Sequence, residues 1–259
     1  MSGSVAIPAR RISPDAPPTT ITRRIPVEAP IAIEYNGIGY AVMMATPTDL
    51  DDFAIGFSLS ERIIAAASDV RSVEAQETDL GWLLKIDIVE TCVSPMIDRV
   101  RVRVSESSCG LCGLENLEQV ARPLPVLAAG PALTDQAIFR ALGALRDYQP
   151  LNLATGGAHA AAFCDVDGRI VTAREDVGRH CALDKLIGAL AREDMAPQSG
   201  FFLLSSRCSY ELVEKTVIAR CPALVTISTA TSLAVERARA AGLQLIALAR
   251  SDSALSLAR

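Results

Sequence analysis

Beyond Leu151 the sequence alternates short apolar runs with amphipathic stretches of about ten residues or more. Strands are predicted at 160–164, 169–173, 201–204, 223–227 and 243–248, and helices at 180–192, 209–220 and 231–241. A helix between two strands carries the chain back to its starting edge, so this order predicts βαβ units on a mainly parallel sheet. It also says where chemistry belongs. Ligands of open α/β sheets bind beyond the carboxyl ends of the strands, where helix N-termini present unpaired N–H groups.

The preceding half reads differently. Residues 1–26, rich in Pro, Ser and Arg, predict a poorly ordered arm. Apolar alternation across 31–44, broken by Asn36-Gly37, predicts a hairpin. Thr48 and Asp51 form a capping-box-like start to a helix in which Leu50, Phe53, Ala54 and Phe57 recur at helical spacing. Strands are predicted at 82–89 and at 97–104, the latter because Val100, Val102 and Val104 alternate with Arg99, Arg101 and Arg103. After a C-x-x-C pair come a short helix from about Leu114, a proline-rich break at 122–125, and a helix capped by Thr134 that runs to about Tyr148. The expected plan is therefore an arm (1–26), a small α+β domain (27–104), a linker with the C-x-x-C loop (105–134) and an α/β layer domain (135–259).

Composition narrows the function classes. Half of the residues are hydrophobic and the net charge is −5, which disfavours nonspecific binding of nucleic acid or an anionic membrane. No apolar run reaches the 18 residues of a spanning helix, and the first 24 residues lack a signal-peptide core, so a cytoplasmic location is expected. Seven cysteines, mostly isolated, read as free thiols plus one close pair, not as a disulfide framework.

Three strand-to-helix junctions are rich in hydroxyls or arginine: 174–180, with Asp176, Arg179 and His180; 205–209, with Arg207 and Ser209; and 228–232, with Thr229 and Thr231. If the strands run parallel, these loops share one rim suited to a phosphate-bearing ligand. Any one of these loops alone reads better as an ordinary helix cap; three together, with Arg179 and Arg207, point to a site. Thr155-Gly156-Gly157-Ala158-His159 is a fourth candidate, since paired glycines let a backbone approach a ligand closely, although a tight turn explains it almost as well. His159 and His180, the two histidines, both fall in these polar segments, and His180 and Asp176 are candidates to orient a group or move a proton.

Cys109 and Cys112, in Ser107-Ser108-Cys109-Gly110-Leu111-Cys112-Gly113, can act as nucleophile and resolving partner. A zinc site would need two further ligands, and there is no second C-x-x-C, so no metal is expected. Spacing alone leaves a sulfur carrier, a redox pair and a structural role open.

Six segments together resemble the formate dehydrogenase accessory sulfurtransferase family (FdhD, also called NarQ): YNGIGYAVMMATPTDLDDFAIGFSLSERII (35–64), SSCGLCG (107–113), TGGAHAAAF (155–163), REDVGRHCALDKLIG (174–188), RCSYELVEK (207–215) and TSLAVERARAAGLQLIALAR (231–250). The resemblance implies a cytidine-deaminase-like C-terminal domain and a homodimer. It further implies a sulfurtransferase that takes persulfide sulfur from a cysteine desulfurase and passes it to the bis(molybdopterin guanine dinucleotide) cofactor of a formate dehydrogenase apoenzyme, with GDP as a mimic of that ligand. It places the persulfide on Cys109, with Cys112 as second carrier, and a cofactor-binding stretch on Leu248, Ala249, Arg250, Ser251, Asp252 and Ser253, joined by the rim residues Arg179, His180, Arg207, Ser209, Thr229 and Thr231. The chain departs from the family pattern at Cys181, at Ser206 and in its tail, SDSALSLAR. Zinc deaminases carry H-x-E before P-C-x-x-C; here His159 is followed by two alanines and the C-x-x-C comes first, so deamination is not expected.

Overall fold

The structure is a computed structural model and describes residues 3–105 and 123–258. Strands β1 (Ser4–Arg11) and β2 (Thr19–Pro26) pair antiparallel over eight residues each, so the expected poorly ordered arm is a β ribbon. The β-branched run Thr19-Thr20-Ile21-Thr22 favours extended backbone, and Val27 N–H closes the base on Gly3 C=O at 2.8 Å.

A four-stranded sheet follows, in the order β4-β3-β6-β5, from β3 (Ala29–Tyr35), β4 (Ile38–Ala45), β5 (Val70–Thr78) and β6 (Gly81–Ile88). Asn36 and Gly37 turn the β3–β4 hairpin at φ 48° and 82°, as an Asn-Gly pair allows. Ile31, Ile33 and Tyr35 alternate into a core shared with Phe53 and Phe57 of α1 (Leu50–Ser60), where Tyr35 and Ser58 share a 2.7 Å hydroxyl contact. The expected cap does not form: Asp49 precedes α1 at φ 52° with no side-chain cap. The strand expected at 97–104 is instead the second half of helix α2 (Glu90–Ser105). Ile97, Val100 and Val104 also lie three and four apart, so the same letters read as a helical stripe.

In the C-terminal part, Thr134 Oγ1 accepts from Ala137 N and caps α3 (Asp135–Ala144), which runs into a 3₁₀ turn (Leu145–Tyr148) and the short α4 (Pro150–Thr155). Then come β7 (His159–Asp165), β8 (Ile170–Asp176), α5 (Arg179–Arg192), β9 (Gly200–Leu204), α6 (Tyr210–Ile218), β10 (Ala223–Thr226), α7 (Ser232–Ala241), β11 (Gln244–Ala247) and β12 (Leu255–Ala258). The sheet order is β12-β11-β10-β9-β7-β8, with β9, β10 and β11 parallel. β7 runs antiparallel to β9, β8 antiparallel to β7, and β12 antiparallel to β11, so the parallel part is smaller than the sequence predicts. Helices α5, α6 and α7 cover one face through residues such as Leu186, Val213 and Ala238. Ile138, Ala141 and Leu145 cover the other.

The two parts meet where α1 crosses α5. A Cβ added to Gly56 would lie 1.7 Å from Asp184 O, and one added to Gly188 1.8 Å from Asp52 O, so only glycine permits this approach. Asp52, almost fully buried, binds Arg174 at 2.7 Å and Arg192 at 2.6 Å. Lys215 binds Asp184 at 2.8 Å, and Lys185, fully buried, binds Asp176 at 2.7 Å and donates to Thr46 O at 2.8 Å. Buried charges persist only when paired; α1 is tied to the C-terminal part by the two ion pairs of Asp52, and the loop before it by the hydrogen bonds of Thr46 with Lys185 and Asp176.

Candidate functional site: an arginine-lined rim

The reversed strand β7 does not scatter the candidate loops. Because β8 is antiparallel to β7, and β7 to β9, β8 points the same way as β9, β10 and β11. The carboxyl ends of all four and the amino end of β7 therefore share one edge of the sheet. His159 faces Asp176 across the β7–β8 pair; Ala160 N donates to Ser205 Oγ at 2.8 Å, and Ser205 N to Ala160 O at 3.0 Å. Cys208 and Ala230 extend β9 and β10 by one parallel bridge, and Leu248 N donates to Ser228 O at 3.0 Å. The candidates at 155–159, 176–180, 205–209, 228–231 and 248–253 thus lie side by side. The amino ends of α5, α6 and α7 open onto the same edge, behind Gly178, Ser209 and Thr231.

Two arginines at this edge make no ion pair among the described residues. Arg179, first residue of α5, has a buried Nε with no hydrogen-bond partner, and Arg207 is exposed with no ion pair among the described residues. His159 lies close enough to both to feel them. Burial chiefly, then Arg179 and Arg207, lower its pKa below the ordinary histidine value, against a smaller upward pull from Asp176. It is therefore neutral at pH 7 and able to donate one hydrogen bond. An orphaned guanidinium nitrogen beside free helix amides is the donor set that a phosphate or pyrophosphate fits.

His180 sits differently. Its Nε2 lies 2.8 Å from Glu211 and 3.3 Å from Ser209 Oγ, which binds the edge of α5 to the start of α6. Burial lowers its pKa, Glu211 opposes this, and Arg179 and Lys215 reinforce it. Asp176 has no exposed surface. It accepts from Lys185, Thr46 N and Gly178 N, so it orients the loop leading to Arg179 and is not placed to hand a proton to a ligand. Burial pushes its carboxyl pKa up, while Lys185 and the two amides pull it down.

Thr231 does serve as an ordinary cap, accepting from Ala234 N, whereas Ser209 makes no cap bond and keeps its hydroxyl with His180 and Glu211. Thr229 is exposed, its hydroxyl donating to Ala230 O at 3.3 Å. After β11 the chain turns at Leu248, whose φ of 51° is rare for a bulky side chain. Ala249 is buried in the core, while Arg250, Ser251, Asp252 and Ser253 face solvent, with Arg250 N closing on Ser253 O at 2.7 Å. The stretch expected to bind as a block of six is thus split between core and surface.

Cys109 and Cys112 lie outside the described residues. Residues 125–131, which follow that segment, line a cavity of about 680 Å³ with Arg220 and Pro222, and Leu127 N donates to Ala241 O, so they pack at the edge of the sheet opposite the rim. Four further cysteines are buried; burial pushes Cys181, Cys208 and Cys221 up to about 12 and raises Cys164 too, so all four stay protonated at neutral pH. Cys181 belongs to the N-terminal core and fills space there. Among the described residues no group of three or more His, Cys, Asp or Glu could hold a metal ion, and no helix is long and apolar enough to cross a membrane.

Thr46 and Lys185, which set the loop before Arg179, and Asp52, which ties α1 to Arg174 and Arg192, were not anticipated from sequence. A signal existed: three of 25 basic residues are lysine, and Asp184 and Lys185 together interrupt the apolar run from Ala182 to Ile187.

Fold and rim together describe an α/β protein with three helix N-termini and two arginines free of ion pairs among the described residues along one sheet edge. The chain belongs to the FdhD/NarQ family, whose model matches residues 26–256. It is 46% identical over 228 residues to a protein named sulfur carrier protein FdhD from Variovorax paradoxus (strain S110), covering 88% of this chain and 82% of the relative. It is likewise 46% identical over 231 residues to a protein of that name from Xanthomonas campestris pv. campestris (strain B100), covering 89% and 82%. A crystal structure described as a formate dehydrogenase accessory protein from Desulfotalea psychrophila superposes with a TM-score of 0.78 at 20% identity, over 100% of this chain and 98% of that one, which establishes the shared fold.

Proposed function

We propose that this protein is a sulfurtransferase of formate dehydrogenase maturation, which accepts sulfur on a cysteine and delivers it to a guanine-dinucleotide molybdenum cofactor held at the rim. Two relatives bear the name sulfur carrier protein FdhD, and the observation here that carries the ligand half of the reading is Arg179, its buried Nε unpaired beside His159 and three helix N-termini. Arg179 and Arg207 offer guanidinium forks to pyrophosphate oxygens, the first-turn amides of α5 and α6 add N–H donors, and neutral His159 adds one more. Arg250 and the Ser251–Ser253 turn bound the ligand on the β11 side. His180, clamped by Glu211, holds the two helix starts in register.

Sulfur acceptance is assigned to Cys109. Its thiolate attacks the outer sulfur of a desulfurase persulfide; the new S–S bond forms as the old one breaks, and the desulfurase cysteine leaves as thiolate, with no net change in electrons. Cys112 is the second carrier. The protein acts as a homodimer in the cytoplasm, between a cysteine desulfurase and the formate dehydrogenase apoenzyme.

Intact-mass analysis after incubation with desulfurase and cysteine tests the reading. One added sulfur is expected, absent from Cys109→Ala. Loss of two hydrogens would instead indicate a redox pair, and an unchanged mass would overturn sulfur carriage. Formate dehydrogenase matured with the Cys109→Ala/Cys112→Ala variant should be inactive; full activity would overturn it as well.

A further inference from the structure

The ribbon β1–β2 precedes the family match, which begins at residue 26, yet it is seated at the rim. Arg23 donates from one terminal guanidinium nitrogen to Thr155 O at 2.7 Å. That nitrogen would lie 3.2 Å from a Cβ on Gly156, and Pro26 Cγ 3.0 Å from one on Gly157. These glycines lead directly into His159, so the ribbon borders the end of the rim at β7 and β8. A guanidinium carries five N–H donors, and Arg23 has no carboxylate partner among the described residues.

The pairing register sorts the ribbon's charges by face. Residues opposite one another project to the same side, and Ile7 pairs with Arg23, Ala9 with Ile21 and Arg11 with Thr19. Arg11 and Arg23 therefore share the face that reaches Thr155. Arg24, paired with Ala6, points the other way and binds Ser4 Oγ at 2.7 Å. Residues 3–26 hold four arginines against one aspartate, in a chain whose net charge is −5. From β11 to β8 the rim spans four strand spacings, roughly 19 Å, with Arg250 at one end, Arg179 and Arg207 between, and Arg23 at the other. A ligand with two pyrophosphates, about four negative charges at neutral pH, offers more than one phosphate group to such a row of arginines.

We propose that the ribbon is a basic flank of the anion site, in which Arg23, with Arg11 farther out on the same face, binds a phosphate group of the ligand. The proposal rests on the rim reading above and adds to it residues that the family match does not contain.

Calorimetric titration of the full chain with GDP and with inorganic pyrophosphate, at low salt, tests it. One charge-assisted contact to phosphate is worth about tenfold in affinity, so Arg23→Gln should bind both about tenfold more weakly and the Arg11→Gln/Arg23→Gln pair more weakly still. Arg24→Gln removes the same charge from the other face and should bind as the unaltered chain does. Equal losses for Arg23→Gln and Arg24→Gln would reduce the effect to net charge and overturn the proposal. Arg179→Ala separates the two readings: if it weakens binding while Arg23→Gln does not, the ribbon falls and the rim stands; if it too is without effect, the rim itself falls. A measurement on the unaltered chain guards against a misfolded variant. GDP should protect Arg23 from phenylglyoxal, and modification at an undiminished rate in saturating GDP would overturn the proposal.

Discussion

Replacing Lys185 by Met tests the junction that holds the rim. Lys185 and Asp176 expose no side-chain surface, their charged atoms are 2.7 Å apart, and Lys185 also donates to Thr46 O. Methionine is of similar length, so little space opens, but Asp176 is left buried without a cation and with only the amides of Thr46 and Gly178 as donors. Removing one member of such a pair costs about 3–5 kcal/mol, a large part of the ~5–15 kcal/mol that holds a typical domain together. The sign with pH follows. Burial already raises the Asp176 carboxyl, and losing Lys185 raises it further, so the folded variant holds its proton to a higher pH than the unfolded chain does. The variant's deficit is therefore small near pH 4, grows by about 1.4 kcal/mol per unit as pH rises, and levels off above the new folded pKa. Urea unfolding followed by circular dichroism between pH 5 and 8 reads this directly, and Asp176→Asn/Lys185→Met should recover more than half of the loss at pH 7.5. A loss below about 1 kcal/mol at pH 7.5, or one that is the same at pH 5 and pH 8, would refute the description of a buried, charged pair.

Other expectations follow from the same contacts. Gly188→Ala puts a methyl 1.8 Å from the Asp52 carbonyl and should destabilise by about 3 kcal/mol or more, whereas Gly143→Ala, in α3 with nothing within 4 Å, should stabilise by about 0.5–1 kcal/mol; thermal melts compare them. His159 is neutral at pH 7.5 because its folded pKa is lowered, so GDP affinity should rise as pH falls toward 5.5 and the imidazole gains a charge beside the ligand. Over the same fall the ligand-free protein should lose stability, since the unfolded histidine takes up its proton first; His159→Gln should flatten the affinity profile and lessen the slope of the stability profile, to which His180 also contributes. Iodoacetamide at pH 8 should leave Cys164, Cys181, Cys208 and Cys221 unlabelled in the folded protein, as mapped by peptide mass.

Much of this was legible from periodicity. The helices α5 to α7 and strands β7 to β11 fall where the alternation places them, because long amphipathic stretches and short buried strands carry distinct patterns. Strand direction was legible in one place and passed over. β7 and β8 form a hairpin around Asp167-Gly168, Gly168 at φ 78°; an Asp-Gly pair in a connection too short for a crossover marks a turn back, which the expectation of a mainly parallel sheet did not use. Strand β5 was missed because Arg71, Ser72, Glu74, Gln76 and Glu77 leave it mostly exposed, and the ribbon because a two-stranded element buries too little to show alternation. At the rim, the residue types Arg179, Arg207 and His159 were readable. That Asp176 faces inward to a lysine was not, since it depends on a contact across 130 residues with the Thr46 backbone.

The common orientation of α5, α6 and α7 has a kinetic meaning. Three peptide dipoles, each ending in roughly half a positive charge, add to Arg179 and Arg207 at one edge of a molecule whose overall charge is −5. Beyond about a Debye length, ~10 Å at 0.1 M salt, these charges are screened; inside it the local positive groups, not the net charge, set the field at this edge. If the rim is the ligand site proposed above, the direction in which three helices point sets where productive encounters begin, before any hydrogen bond forms.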